Sequence, residues 1–222
     1  MIGFYNYTII LTFLGLASSV FGMTQVLEGN IALAVGCLAI SGLCDAFDGK
    51  VARTKKNRTP DEIMFGIELD SLCDVICFGA FPAMICYKMG VHDYWGGVAL
   101  TYYVVCAVIR LAYFNVLEVK RQQSDDPGEK VFHGLPVTSI SFILPPVFLL
   151  SLVLDEKLFT IVALVMLLTV ATCFILNFRV KALNIWVLIA LIVLITAVVI
   201  VLLIFGKQTG SQPTVTGGYL RV

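Results

Sequence analysis

Long apolar runs alternate with short polar stretches along this chain, and most of the runs are about as long as a membrane is thick. A helix that crosses the hydrocarbon core of a bilayer needs about 20 mostly apolar residues. The runs predict seven helices, with six or eight as the alternatives, near residues 7–28, 31–53, 62–88, 94–118, 136–154, 157–178 and 184–205. We therefore expect an all-α fold: a polytopic membrane helix bundle of six core transmembrane helices plus one or two at the C-terminal end.

Composition supports a membrane protein and excludes some other classes. The chain has 222 residues, of which 59% are hydrophobic and 14% charged, and its mean hydropathy is +0.95. Soluble domains average about 25% charged residues. The formal net charge of zero gives no basic surface for nucleic acid. One transmembrane domain is predicted over residues 1–206, followed by a polar C-terminal tail over 207–222.

The basic residues predict how the helices are oriented, because cytoplasmic loops of membrane proteins are enriched in Lys and Arg. Four of them fall on one side of the predicted bundle: Lys88, Lys157, Lys207 and Arg221. Ten fall on the other side: Lys50, Arg53, Lys55, Lys56, Arg58, Lys120, Arg121, Lys130, Arg179 and Lys181. We therefore expect a multi-pass protein of the cell (cytoplasmic) membrane, with the loops at 54–61 and 119–135 in the cytoplasm.

Four aspartates interrupt the apolar pattern near the predicted cytoplasmic ends of the second and third helices. Asp45 and Asp48 are three residues apart, and Asp70 and Asp74 are four apart, so each pair lies on one helix face. Acidic side chains at membrane depth normally face a cavity, a partner or an ion. Pairing with surface Lys and Arg is the alternative, but four carboxylates on adjacent antiparallel helices favour one shared pocket. Oxygen ligands of this kind favour a hard divalent cation such as Mg²⁺ or Mn²⁺.

Small and basic residues beside the aspartates indicate a phosphate ligand. Gly49 and Ala52 let a bulky group approach the second helix, and Arg53 can hold a phosphate through two hydrogen bonds. Gly66 opens the third helix one turn before Asp70. The sequence Thr59-Pro60-Asp61-Glu62 predicts the start of that helix, with Thr59 as its N-cap.

Together these residues read Asp45-x-x-Asp48-Gly49-x-x-Ala52-Arg53, then Gly66-x-x-x-Asp70-x-x-x-Asp74. This arrangement resembles the signature of the CDP-alcohol phosphatidyltransferases. The family usually has eight residues between the arginine and the second glycine, whereas this chain has twelve, Thr54 to Phe65. A family hydroxyl position is Ile63 here, which leaves Thr59 as the alternative hydroxyl for contacting the nucleotide.

The resemblance implies an enzyme of phospholipid biosynthesis whose donor is CDP-diacylglycerol and whose nucleotide product is CMP. It implies two metal ions held by Asp45, Asp48, Asp70 and Asp74, with Asp74 also the catalytic general base. It assigns Gly49, Ala52, Arg53 and Gly66 to binding of CDP-diacylglycerol, with Thr59 and Thr8 as further contacts. It also suggests a homodimer.

Three further stretches resemble the phosphatidylserine synthase branch of the family: Gly66 to Ala83, Arg110-Leu-Ala-Tyr-Phe-Asn115 and Phe132-His-Gly-Leu-Pro136. This branch transfers the phosphatidyl group to L-serine. Arg110 is the predicted ligand of the serine carboxylate, with Asn115 and Tyr113 as further serine contacts. A permanent structural partner for Arg110 is the alternative, because an arginine inside a span needs an anion.

Two other functions are alternatives for this sequence. A sister transferase would use glycerol 3-phosphate, inositol phosphate or choline as the acceptor, but phosphorylated acceptors call for more cations deep in the pocket. A divalent-cation transporter lined by aspartate is the remote alternative. Transporters often contain two similar halves, and the sequence shows none.

Overall fold

A bundle of apolar helices makes up the described part of the chain. The computed structural model describes residues 3–4, 6–52, 54–55, 58–123, 132–177 and 179–180. Five of its helices are long and apolar enough to cross a membrane: Tyr7–Leu27, Ile31–Ala52, Pro60–Lys88, Tyr94–Lys120 and Glu156–Ile175. The protein is thus an integral membrane protein with a polytopic helical fold, as predicted.

The helices follow one another in the order expected from the apolar runs. A short 3₁₀ turn, Tyr7–Ile9, leads into α1 (Ile10–Leu27), and α2 (Ile31–Ala52) follows. The third apolar run contains α3 (Pro60–Asp74), a π-helical turn (Val75–Ala80) and α4 (Phe81–Lys88). After it come α5 (Tyr94–Gln123), α6 (Ile140–Leu149) between 3₁₀ turns at Val137–Ser139 and Leu150–Leu152, and α7 (Glu156–Ile175).

The predicted bounds agree with these helices to within a few residues, with one larger difference. The helix predicted over 94–118 continues to Gln123 as α5. The fifth run forms a shorter apolar segment, Val137–Leu152. The helix predicted over 184–205 and the tail over 207–222 lie outside the described residues.

Local sequence explains how α3 begins. Thr59 accepts a hydrogen bond from the Glu62 backbone N–H at 3.2 Å, and the Glu62 carboxylate accepts one from the Thr59 N–H at 3.1 Å. Pro60 occupies the first turn, where a missing N–H costs nothing. This is the capping box that the sequence predicts, and it fixes where the aspartates of α3 face.

A π-helical turn joins α3 to α4, directly after Asp74. The Phe81 N–H donates to the Ile76 carbonyl, five residues earlier. Pro82 has no N–H to donate to the Phe78 carbonyl four residues before it. The buried Tyr103 hydroxyl of α5 donates to that carbonyl at 2.6 Å instead, so α5 satisfies the group that the proline leaves without a helical partner.

Small residues let the helices approach one another closely in the core. A Cβ on Gly22 of α1 would lie 2.3 Å from Phe81, and one on Gly42 of α2 would lie 2.0 Å from the Ser141 hydroxyl. The α3–α4 helix contacts α1 and α2 on one side and α5 on the other, and α5 also packs against α7. Such contacts are the usual basis of helix association in membranes.

A short backbone pairing ties the start of α6 to the end of α7. Strands β1 (Phe132–His133) and β2 (Arg179–Val180) pair antiparallel, and the Leu135 N–H donates to the Cys173 carbonyl at 3.2 Å. Gly134 between them has a φ of 75°, which glycine adopts without steric cost. This pairing was not predicted from the sequence.

Candidate active site

The predicted aspartates meet where the ends of α2 and α3 come together. One carboxylate oxygen each from Asp45, Asp70 and Asp74 lies within 4.8 Å of the other two. Asp48 lies beside this cluster and accepts a hydrogen bond from the Thr12 hydroxyl of α1 at 3.2 Å. The spacing argument therefore predicted the convergence of the two helices correctly.

The four aspartates lie at two depths, because α2 and α3 run in opposite directions and a helix rises about 1.5 Å per residue. Asp48 and Asp70 are nearer the helix ends and both line an open cavity of about 320 Å³. Asp45 and Asp74 are one turn deeper and line a narrow neighbouring space of about 10 Å³, together with Asp48. The cluster thus forms the inner end of an open cavity.

Four segments of the chain build the wall of the 320 Å³ cavity. Its lining residues are Thr8, Ile9, Thr12, Asp48, Gly49, Ala52, Arg58, Ile63, Gly66, Ile67, Asp70, Ser71, Phe114 and Glu118. This wall includes four residues that were predicted to contact the donor: Thr8, Gly49, Ala52 and Gly66. It also contains Ile63, at the family's hydroxyl position.

The two predicted glycines of the wall have different surroundings. A Cβ on Gly49 would meet no atom within 4 Å, so the α2 wall is open at this point. A Cβ on Gly66 would lie 3.0 Å from Nη2 of Arg58. The side chain of Arg58, from the preceding loop, therefore fills the space that Gly66 opens. Arg58 was not predicted from the sequence as a site residue.

Two other predicted donor contacts have a different outcome. Thr59 is not among the described residues that line the cavity, and its exposed hydroxyl caps α3. Arg53 lies outside the described residues. Arg58 is thus the loop arginine that the structure places in the cavity, and only its position in the loop could have indicated it.

The three residues predicted to bind serine are not brought together. Arg110 and Tyr113 line a second cavity of about 310 Å³ between α5 and the end of α7, with Ile109, Phe174, Ile175, Leu176 and Asn177. Asn115 faces α3, where its side chain accepts a 2.6 Å hydrogen bond from the Ser71 hydroxyl and lies 3.5 Å from the Glu68 carboxylate. The spacing along α5 explains this, since residues five apart on a helix lie on different faces.

The environment of Arg110 separates the two alternatives for its partner. Its side chain is only 5% exposed, and its Nε donates to the Leu135 carbonyl at 3.2 Å. Its Nη1 is buried with no hydrogen-bond partner among the described residues. No carboxylate in the described part of the chain forms an ion pair with it, so the permanent anionic partner that was the alternative is not found there.

No Lys or Arg within the described ranges forms an ion pair with the carboxylate cluster. The ion pair that the described residues form joins Lys55 to Glu62 at 2.9 Å, away from the aspartates. Opposite ligands of an octahedral Mg²⁺ lie about 4.2 Å apart. Three carboxylate oxygens within 4.8 Å therefore need only small side-chain adjustments to share such an ion, and the donor set fits a hard divalent cation.

Comparison with known proteins identifies the family. The model of the CDP-alcohol phosphatidyltransferase family matches residues 5–171, three quarters of the chain. The chain belongs to this family. CDP-alcohol phosphatidyltransferases generally depend on a divalent metal, in keeping with the aspartate cluster.

Several curated relatives share the matched region. The chain is 38% identical over 106 residues to a CDP-diacylglycerol–serine O-phosphatidyltransferase of Saccharomyces cerevisiae, covering 46% of this chain and 37% of the relative. It is 31% identical over 147 residues to a protein of the same name from Helicobacter pylori, covering 64% and 56%. It is 33% identical over 129 residues to an archaetidylserine synthase of Methanothermobacter thermautotrophicus, covering 58% and 51%. The matches span about half of these relatives' own length or less.

Proposed function

We propose that the protein transfers the phosphatidyl group of CDP-diacylglycerol to L-serine, giving phosphatidylserine and CMP. The observation that carries this proposal is the aspartate cluster at the inner end of the 320 Å³ cavity, in a chain of the CDP-alcohol phosphatidyltransferase family. The names of the curated relatives support serine as the acceptor, because each is a serine transferase or an archaetidylserine synthase.

The proposed cofactor is a pair of Mg²⁺ or Mn²⁺ ions held by Asp45, Asp48, Asp70 and Asp74. Bound there, the ions would neutralise the diphosphate of the donor and so stabilise the charge that develops on its oxygens. Bound ions would also remove the repulsion between like charges that the four carboxylates otherwise exert on one another.

The reaction requires the serine hydroxyl to attack the phosphorus that carries diacylglycerol. A new phosphorus–oxygen bond to serine forms, and the phosphorus–oxygen bond to CMP breaks. Asp74 is the proposed general base, accepting the proton of the serine hydroxyl. Its position one turn deeper than Asp70, beside the narrow space, separates it from the open part of the cavity, where Gly49 and Ala52 would admit the nucleotide.

Arg110 is the proposed ligand of the serine carboxylate. Its buried Nη1 has no hydrogen-bond partner among the described residues and is therefore able to bind an anion. The ammonium group of serine would be tolerated by the acidic cluster. Asn115 and Tyr113 stay as candidate serine contacts, although the cavity of Arg110 and Tyr113 differs from the one that Asn115 borders.

The orientation of the site is also part of the proposal. The basic residues of the loops favour a cell membrane protein whose aspartate cluster faces the cytoplasm. The homodimer suggested by the family resemblance stays a prediction, which the mass of the purified protein in detergent would test.

An acceptor screen tests the proposed function. Purified protein receives CDP-diacylglycerol, Mg²⁺ or Mn²⁺, and one of four acceptors, L-serine, glycerol 3-phosphate, inositol phosphate or choline, and CMP release is measured. We expect L-serine to give the fastest release and phosphatidylserine as the lipid product. Faster release with glycerol 3-phosphate would leave the family placement intact and refute serine as the acceptor.

A further inference from the structure

The loop between α2 and α3 places a cation in the wall of the donor cavity. Arg58 lies within the twelve residues that separate Arg53 from Gly66, the stretch in which this chain exceeds the family pattern. Its half-buried side chain lines the same cavity as the acidic residues Asp48 and Asp70. The extra length of the loop therefore contributes a residue to the cavity.

The guanidinium of Arg58 has donors to spare. Nη1 donates to the Ala52 carbonyl at 3.5 Å, the limit of hydrogen-bond distance. Nε is buried without a partner among the described residues. A guanidinium carries five N–H donors in a planar fork, which matches the geometry of a phosphate. Arg58 is thus held loosely, with much of its binding capacity unused.

The neighbouring acidic residue of the loop is already engaged. Glu62 accepts hydrogen bonds from the Lys55 ammonium at 2.9 Å and from the Thr59 N–H at 3.1 Å. The one ion pair formed within the described ranges is the one between Lys55 and Glu62. Lys55 therefore forms the direct ion pair with Glu62, whereas the charge of Arg58 reaches Glu62 only at longer range.

Gly66 gives the guanidinium of Arg58 room beside α3. Nη2 of Arg58 lies 3.0 Å from the position that a Cβ would take on Gly66, so any larger residue would push the guanidinium aside. Glycine at this point of α3 thus serves to seat Arg58 against the helix, one turn before Asp70. The acidic cluster and the guanidinium then lie on the same cavity, as two attachment points of opposite charge.

We propose that Arg58 binds the diphosphate of the cytidine nucleotide donor, from its place beside Gly66 in the cavity wall. This inference rests on the proposed function for the identity of the donor. Phosphate oxygens that face the aspartates would require a cation between them, whereas oxygens that face Arg58 can bind the guanidinium directly. Arg58 would thus distinguish a nucleotide diphosphate from a nucleoside.

The experiment compares CDP and cytidine as ligands, without any acceptor. Their binding to purified protein in Mg²⁺ is measured by calorimetric titration for the wild type and the variants Arg58→Gln, Arg58→Lys and Gly66→Ala. We expect Arg58→Gln to weaken CDP binding about 10–100-fold, the range for a lost hydrogen bond to a charged group. Cytidine binding should change less than about twofold, because cytidine has no phosphate for Arg58 to hold.

Two variants refine the test. Gly66→Ala should weaken CDP with the same selectivity, since its Cβ displaces the end of a flexible side chain. Arg58→Lys should fall between the wild type and Arg58→Gln, because it keeps the charge and loses the fork. Lys50→Gln, which removes an exposed cation of α2 that is not among the lining residues, is the matched control and should leave CDP affinity within about twofold.

Two results would overturn the inference: CDP affinity unchanged in Arg58→Gln, or CDP and cytidine weakened equally, which is the pattern of a residue that only braces the loop through Ala52. Should Arg58→Gln fail to fold, Arg58→Lys and Gly66→Ala decide the question by the same comparison. The proposed function fails separately, when the wild type binds CDP but does not release CMP with serine.

Discussion

The two cavities that α5 borders are nearly equal in size and opposite in character. The first, about 320 Å³, is lined by Asp48 and Asp70 and includes Phe114 of α5. The second, about 310 Å³, is lined by Arg110 and Tyr113 of the same helix. An acidic cavity suits a cation with a phosphate bound to it, whereas a buried arginine suits a carboxylate. The two cavities thus offer different chemistry at different positions along one helix.

This separation has a consequence for the proposed reaction. Changes in one cavity should therefore affect one substrate selectively, and the following predictions test this from the largest expected effect to the smallest.

Removal of divalent metal should abolish activity altogether, because the first cavity concentrates carboxylates that form no ion pair among the described residues. CMP release from CDP-diacylglycerol and serine is measured in excess chelator and after addition of Mg²⁺, Mn²⁺ or Ca²⁺. We expect recovery with Mg²⁺ or Mn²⁺ and poor recovery with Ca²⁺, which prefers longer bonds and more ligands. Full turnover in chelator would contradict the metal assignment.

Single replacement of Asp45, Asp48, Asp70 or Asp74 by Asn should reduce kcat/KM by about 100-fold or more, since even outer partners of metal ligands cost 10–100-fold. Glu68→Gln is the matched control, because Glu68 is exposed and its carboxylate lies against Asn115. Each variant is purified and its CMP release compared. If all five variants lost the same activity, the placement of the four aspartates in one pocket and of Glu68 outside it would be wrong.

Gly49→Val should raise the KM for CDP-diacylglycerol about tenfold, the lower part of the cost of overpacking. The new side chain would point into open space that the donor is proposed to occupy. Gly97→Val is the matched control, because a Cβ at Gly97 also meets nothing within 4 Å but that residue lies in the first turn of α5, far along the helix from Phe114. Equal effects of the two substitutions would remove Gly49 from the donor site.

Arg110→Lys should raise the KM for serine roughly fivefold and leave the KM for CDP-diacylglycerol nearly unchanged. Lysine keeps the charge but loses the planar fork that holds a carboxylate. Steady-state kinetics with each substrate varied in turn measure the split. The opposite outcome, a weaker donor with serine unaffected, would assign the second cavity to the donor.

Much of this architecture could be predicted from local patterns in the sequence. The apolar runs predicted the five spans of the described residues, because membrane thickness fixes helix length. The intervals Asp45–Asp48 and Asp70–Asp74 predicted convergence, because helical period fixes which side chains share a face. The start of α3 was predicted for the same local reason, since Thr59, Pro60 and Glu62 satisfy backbone groups within one turn.

The parts that were missed depend on contacts between distant residues. The position of Arg58 depends on the path of a loop and on the space beside Gly66. The separation of Arg110 from Asn115 depends on which helices pack on either face of α5, which the motif Arg110-Leu-Ala-Tyr-Phe-Asn115 does not contain. The π-helical turn was indicated only by Pro82, and its stabilisation by Tyr103 comes from another helix.

The π-helical turn lies between α3, which carries two of the aspartates, and α4, which packs in the core, and it sets the angle between their side chains. Asp70 and Asp74 precede it, while Phe81, fully buried against Gly22 of α1, follows it. Each α-helical residue advances the helix by about 100°. A π turn holds one residue more than an α-helical turn, so deleting one residue within Val75–Ala80 would let a regular α-helix form while Asp70 and Asp74 keep nearly the same angle to Phe81. The wider turn thus lets this helix hold an extra residue without turning its carboxylates away from α2.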